Sequence, residues 1–253
     1  MSLAKVTSKL KGGEYMAFLQ PDRVYDAYGV TVKEYFLTNH NPNRIALPHM
    51  LSKPIIGTTI HNTDAIKVKN TTMAEQYTRA TVNGNMNSVR VHFYVDDVEA
   101  WQNLPLDREG WHAADGTGNG NTATIAIECI GNSAKAEDNA ARLAAYLLSK
   151  HALTTAHLYT HTYWLNVRDG RGLGLSKDER CVYPHPYKMC PIYIIPHWAA
   201  FIEKVGGYMP KPVEKPKAKY YVQVGAFSDK KNAEMFLSEV KKHYPGSFIK
   251  TFD

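Results

Sequence analysis

The sequence predicts an α/β protein: a mixed central β-sheet flanked by helices, followed by a small βαβ module toward the C-terminal end. Three observations carry this expectation. Through the first 208 residues, short β-branched or apolar runs alternate with stretches whose apolar residues recur at helical spacing. The segment MPKPVEKPKAK, Met209 to Lys219, alternates three prolines with lysines and repeats nothing apolar, as a semi-extended linker does. The 253 residues are 44% hydrophobic and 21% charged, which suits one large folded domain with a small appendage and excludes a disordered or collagen-like chain. The expected division is a domain over 1–208 that includes an extension over 1–50, the linker 209–219, and a module over 220–253.

The elements follow in order. IIGTTIHN (Ile55 to Asn62) comes after Pro54 and is β-branched, so it is expected as a strand. TTMAEQYTRATVNG opens on a Thr cap and carries Met73, Tyr77 and Ala80 at helical spacing. VRVHFYVDD (Val89 to Asp97) places Val89, Val91, Phe93 and Val95 on one face, and EAWQNLP returns after a tight DD turn to complete a hairpin. TATIAIECI (Thr122 to Ile130) is nearly all apolar and is expected at the sheet centre. A helix is expected over 136–153, with Ala140, Leu143, Ala144, Leu147 and Leu148 on one face. PHWAAFIEKVGG reads as a helix stopped by its glycine pair. In the module, YYVQVGAF, SDKKNAEMFLSEVKKHY and PGSFIK read as strand, helix and strand. Ser228 is the expected N-cap, and Ala233, Phe236, Leu237 and Val240 form the apolar face.

Charge narrows the partners. The net charge is +6, but from Met209 onward nine lysines face five acids, so the large domain is nearly neutral. That argues against a nucleic-acid-binding stripe on it and suits a tail that meets an anionic polymer. No apolar run reaches the length of a membrane span. The opening MSLAKVTSKLKGGEYMAFL is polar and builds no secretory apolar core, so no signal peptide is expected. Three cysteines make a poor disulfide framework. Cys129 sits in an apolar run, whereas Cys190 lies in a polar, loop-like stretch suited to a metal thiolate.

Among eleven histidines, His61 closes a strand and His161 lies in LYTHTYW. His157, four residues before His161, offers a two-histidine helix site, but the pair lacks the intervening Glu of a zinc-peptidase helix. One strand-end His, one later His and Cys190 supply two nitrogens and a sulfur. That set leaves the fourth tetrahedral position of a zinc ion to water, the pattern of a catalytic site. Cys181 and His185 offer a closed knuckle as the competing reading, without CxxC spacing. Glu128, between Ile127 and Cys129, is costly unless something uses its charge. GTGNGN (Gly116 to Asn121) lacks the lysine and strand-to-helix context of a phosphate loop and reads as a groove-lining loop.

Together, TTIHNT, WHAADGTGNGNTATIAIE, HTYW and KMCP resemble the type 2 N-acetylmuramoyl-L-alanine amidases over roughly Ile55 to Val205. These zinc enzymes are related to peptidoglycan recognition proteins. The likeness is to endolysins and autolysins in particular. It implies one zinc ion held by His61, His161 and Cys190, with Glu128 beside the metal and Lys188 as the catalytic lysine. Trp111 and His112 are implied as groove residues, with Asn62 and Trp164 as further substrate contacts. The implied reaction is hydrolysis of the amide between N-acetylmuramic acid and L-alanine in bacterial peptidoglycan. An enzyme made in the cytoplasm and released through holin lesions, or acting as an extracellular lysin, fits that reading. A non-catalytic peptidoglycan receptor and a zinc peptidase cutting within the stem peptide are the competing functions. One departure stands out: His161 and Cys190 are 29 positions apart where the family has under ten, so residues 165–187 look like an inserted, substrate-shaping lid. The tail resembles the first half of a SPOR domain, a peptidoglycan-binding module. A truncated module, a half that dimerises, and a shortened chain all remain open, as does the oligomeric state.

Overall fold

Ile60 and His61 point to opposite faces of one strand, and that alternation divides the molecule into a packed side and a chemical side. The computed structural model describes residues 19–210 and 224–251, and the chain forms two compact units, Met1–Pro210 and Lys211–Asp253.

The first unit opens with a hairpin, β1 (Arg23–Asp26) and β2 (Thr31–Glu34). Its turn puts Tyr28 and Gly29 at positive φ, and the Asp26 carboxylate accepts the Gly29 N–H. Then come β3 (Gly57–Thr63), α1 (Met73–Val82), β4 (Phe93–Val95), β5 (Ala100–Gln102), the short α2 (Asn119–Ala123) and β6 (Thr124–Ile130). They are followed by α3 (Ala134–Lys150), β7 (Leu158–Thr160), α4 (His161–Arg168), α5 (Lys177–Val182) and α6 (Trp198–Tyr208). The seven strands form one mixed sheet in the order β1-β2-β5-β4-β6-β3-β7. Strands β4, β6, β3 and β7 run parallel, β5 is antiparallel to β4, and the N-terminal hairpin extends the far edge through β2. Part of the N-terminal extension is thus sheet.

On the packed side, Ile60, Ile125, Ile127 and Cys129 meet Leu143, Ala144 and Leu147 of α3 and Phe201 and Val205 of α6. The helix α3 begins where Ser133 accepts the Ala136 N–H, and α1 begins where Thr72 accepts the Glu75 N–H, as their capping residues dictate. On the other face, Tyr94, Trp101, Ala126 and Ile130 pack with Ala74 of α1.

Three expectations shift. The alternating run at 89–97 yields only the strand 93–95, because Arg90 leaves the ladder to bridge Trp111 instead. Thr122 and Ala123 belong to α2, not to the central strand. The Asp115 carboxylate satisfies the Gly120 and Asn121 N–H groups, so GTGNGN folds into a helical turn. Gly120 is required there, since a Cβ would lie 2.5 Å from that of Ala113 and 2.7 Å from Trp164 Cγ.

In the second unit, α7 (Lys230–His243) is capped by Asp229, one residue past the expected Ser228. Among the described residues, 224–229 and 244–251 carry no strand. Residues 211–223, with the rest of the expected linker and the start of the first tail strand, lie outside the described residues. Among the described residues no helix is long and apolar enough to cross a membrane.

Candidate metal centre and active site

The register of the two central strands sets the site. His61 on β3 pairs with Glu128 on β6, so both side chains leave the same face near the carboxyl ends of parallel strands. His161 enters from β7 as the first residue of α4, whose N-cap Thr160 accepts the Tyr163 N–H. Cys190 is brought in by Thr162. The Thr162 N–H donates to the Cys190 carbonyl (2.9 Å), and its hydroxyl oxygen accepts the Cys190 N–H (2.7 Å). The same hydroxyl donates to the Lys188 carbonyl (3.3 Å). One threonine beside a candidate ligand histidine thus holds both the cysteine, 28 positions on, and the lysine segment, 26 positions on.

Donor atoms of His61, His161 and Cys190 all lie within 4.8 Å of one another, and all three residues are buried. His61 Nδ1 stands 3.9 Å from Cys190 Sγ and 4.0 Å from Glu128 Oε2. Zinc bond lengths of about 2.0 Å to nitrogen and about 2.3 Å to sulfur put tetrahedral donors roughly 3.5 Å apart. A small inward relaxation is therefore enough to close the site on an ion. The chemistry of the donors fits as well. The ring nitrogens of buried His161 make no hydrogen bond of good geometry, and the one group that acts on the ring in that way is the Ala113 backbone, so at least one nitrogen is left for an ion. Burial holds His161 neutral, with its pKa pushed down to about 3, and Lys188 adds to the effect. Burial likewise holds His61 well below its ordinary range, aided by His161, His112 and Lys188. Burial pushes the Cys190 thiol up to about 12, and a divalent cation is the agent that would draw off its proton.

Glu128 stands at the edge of this cluster with its side chain 14% exposed. Burial raises its pKa to about 7, against the opposing pull of Lys188. Lys188 is itself exposed, yet its charge reaches His61, His161, Glu128 and Cys190.

Other expected site residues have different surroundings. The Asn62 amide is engaged by protein, donating to the Cys129 carbonyl and accepting the Tyr193 N–H, so it has little left for substrate. Trp164 is 4% exposed and donates its indole N–H to Thr59, because its place on α4 turns it into the core. His112 is 6% exposed and sits behind His61, with His61 Nε2 and His112 Nδ1 at 3.0 Å. Trp111 is half-buried, its main chain bridged to Arg90. The competing ligands are elsewhere. Cys181 is buried in the main core, and His185 bonds Asp169. His157 turns back onto Thr154 in a short 3-10 turn. The 165–187 segment is fastened, not free as a lid would be. Thr160 donates to the Cys181 carbonyl, Asn166 to the Tyr183 carbonyl, and Arg168 pairs with Asp169 while donating to the Ala114 carbonyl. Sequence reasoning missed Thr162, Asp169 and Asn121. Only the position of Thr162, next to a ligand, could have flagged it.

Residues 200–252 match the SPOR domain, a match that begins inside α6. The amidase XlyA of Bacillus subtilis is 36% identical over 120 residues, 46% of this chain and 33% of its own length. CwlH of the same species is 30% identical over 190 residues, 73% of this chain and 65% of its own. The chain thus spans between 28% and 65% of the length of the curated relatives it matches. Among solved structures, the catalytic domain of XlyA superposes with a TM-score of 0.52 at 28% identity, covering 70% of this chain and all of that one. The PlyG catalytic domain gives 0.52 at 25% identity, covering 73% of this chain and 99% of that one. Residues 51–181, half of the chain, match the N-acetylmuramoyl-L-alanine amidase family, and the chain belongs to that family.

Proposed function

We propose that this chain is a zinc-dependent amidase that cleaves the bond between the lactyl group of N-acetylmuramic acid and L-alanine in bacterial peptidoglycan. The observation that carries the reading is the convergence of His61, His161 and Cys190 beside a carboxyl group poised near neutrality. Two neutral imidazoles and a thiol are donors that zinc accepts readily. When bound there, zinc supplies Lewis acidity that polarises the amide carbonyl and eases deprotonation of water. Glu128 takes the proton from the attacking water and returns it to the leaving alanine nitrogen. A pKa of about 7 lets one carboxyl group serve as base and then as acid. Lys188, exposed beside the cluster, brings positive charge to the oxyanion that forms as the carbonyl is attacked.

The SPOR-like tail is proposed to bind the wall, its lysine surplus favouring anionic wall polymers, while the first unit performs the cleavage. A receptor that only binds has no use for a half-buried carboxyl set beside three converging donors, which favours the enzyme over that alternative.

The test is mass spectrometry of purified walls digested by the protein. Free muramic lactyl carboxyls paired with new L-alanine amino termini are the expected products. New termini at other stem-peptide positions would point to a peptidase, and an unchanged wall to a receptor.

A further inference from the structure

His112 is buried, touches His61 and takes no part in the chemistry proposed above. The contact between His61 Nε2 and His112 Nδ1, at 3.0 Å, needs one proton. That proton can sit on either ring, and the choice matters. If His112 Nδ1 carries it, neutral His61 must hold its own proton on Nδ1, the nitrogen that faces Cys190 and Glu128, and its lone pair is turned away from the cluster. If His61 Nε2 carries it, Nδ1 is bare and faces the other two donors. We propose that His112 is a positioning residue that accepts the His61 Nε2–H and so fixes His61 in the one tautomer and ring rotation able to bind a metal. This inference rests on the zinc-site reading.

The surroundings of His112 are built to hold it in that role. Its main-chain N–H and that of Ala113 both donate to Asn121 Oδ1 at 2.8 Å. Asn121 is itself tied to Asp115 through its N–H and to the Gly116 carbonyl through its side chain. Residue 110 is glycine, and a Cβ there would lie 2.5 Å from His112 Cδ2, so the ring occupies space that only glycine leaves. His92 stands behind, with ring centroids 6.4 Å apart. Its own tautomer is set, because Nδ1 accepts the Ala126 N–H and Nε2–H donates to the Arg108 carbonyl. With Nδ1 accepting from His61, neutral His112 keeps its proton on the far nitrogen, Nε2, and the Thr124 backbone is the hydrogen-bonding group that acts on this ring. The ring's side-chain hydrogen bond is the one to His61, as expected of a group kept to orient a metal ligand.

Two measurements test this. Long-range 15N–1H NMR of the metal-free full chain reads the His61 tautomer directly. The Nε2–H form supports the proposal and a dominant Nδ1–H form overturns it. Chelator competition then compares zinc affinity in the wild type, His112→Phe, His112→Asn and Cys190→Ser. Phe keeps the ring volume without an acceptor, whereas Asn returns an acceptor near the Nδ1 position. The expected result is a 10–100-fold weaker zinc affinity in His112→Phe, substantial recovery in His112→Asn, and no tight binding in Cys190→Ser. Unchanged affinity in a folded His112→Phe, with Cys190→Ser still deficient, would overturn the role of His112 and leave the zinc site standing. Equal affinity in the wild type and Cys190→Ser would remove the zinc site itself.

Discussion

The helices α3 and α7 make a telling pair. Both are amphipathic, both start at a side chain that accepts a main-chain N–H, and they are 17 and 14 residues long. Yet α3 buries nine residues and α7 buries none. The apolar face of α7 has only half-buried Ala233, Leu237 and Val240, with Phe236 resting on Phe227 at a ring-centroid distance of 5.2 Å. Caps and periodicity specify a helix locally, but they do not say how deeply its apolar face is buried. The buried candidate donors His61, His161 and Cys190 lie in the unit that holds α3.

Four experiments sharpen or break that contrast. The largest effect is expected from Cys190→Ser, which should lower hydrolysis of a soluble muropeptide about 10³-fold by removing the sulfur donor. Deletion of residues 211–253 should leave the same rate within about twofold while wall pelleting falls. A rate that collapses on deletion would mean that the tail takes part in the chemistry. Next, Leu143→Ala should cost about 2–5 kcal/mol in urea unfolding, against about 0.5 kcal/mol or less for Phe236→Ala. Equal costs would show that α7 is packed in solution. The smallest effect is a slope. Burial lowers the His92 pKa from 6.5 to about 4. The unfolded chain therefore takes up this proton first, so the stability contribution is full above pH 6.5 and is lost as pH falls toward 4. The limit is about 3 kcal/mol. Over this window His92→Gln should flatten the decline measured by urea unfolding, and exposed His243→Gln should not.

Much of this was legible in the sequence, for identifiable reasons. Continuous apolar character marked β6, and i, i+3, i+4 spacing marked α3, because both elements are buried along most of their length. The candidate donors His61, His161 and Cys190 were legible chiefly through the motifs TTIHNT, HTYW and KMCP and their resemblance to the amidase family, with the strand end and the loop as supporting signs. What stayed hidden depends on distant partners. The register that sets His61 beside Glu128 belongs to a pair of strands 67 positions apart, and no local pattern encodes it. Asn62 and Trp164 sit beside ligands in sequence, which suggested substrate contact. Strand alternation and helix rotation gave both of them protein partners instead. Asp229 displaced Ser228 as the cap because both are good caps, and sequence alone does not rank neighbours so alike.

The paired bonds between Thr162 and Cys190 have a practical corollary. They pin both ends of a long excursion at its base, much as a drawstring closes a bag whatever its depth. Stretching such a loop from about ten residues to three times that length costs only about 1 kcal/mol of closure entropy. Length can therefore be added at the exposed turn around Gly170 to Gly174, while Cys181 stays in the core and the sulfur at the neck stays where it is.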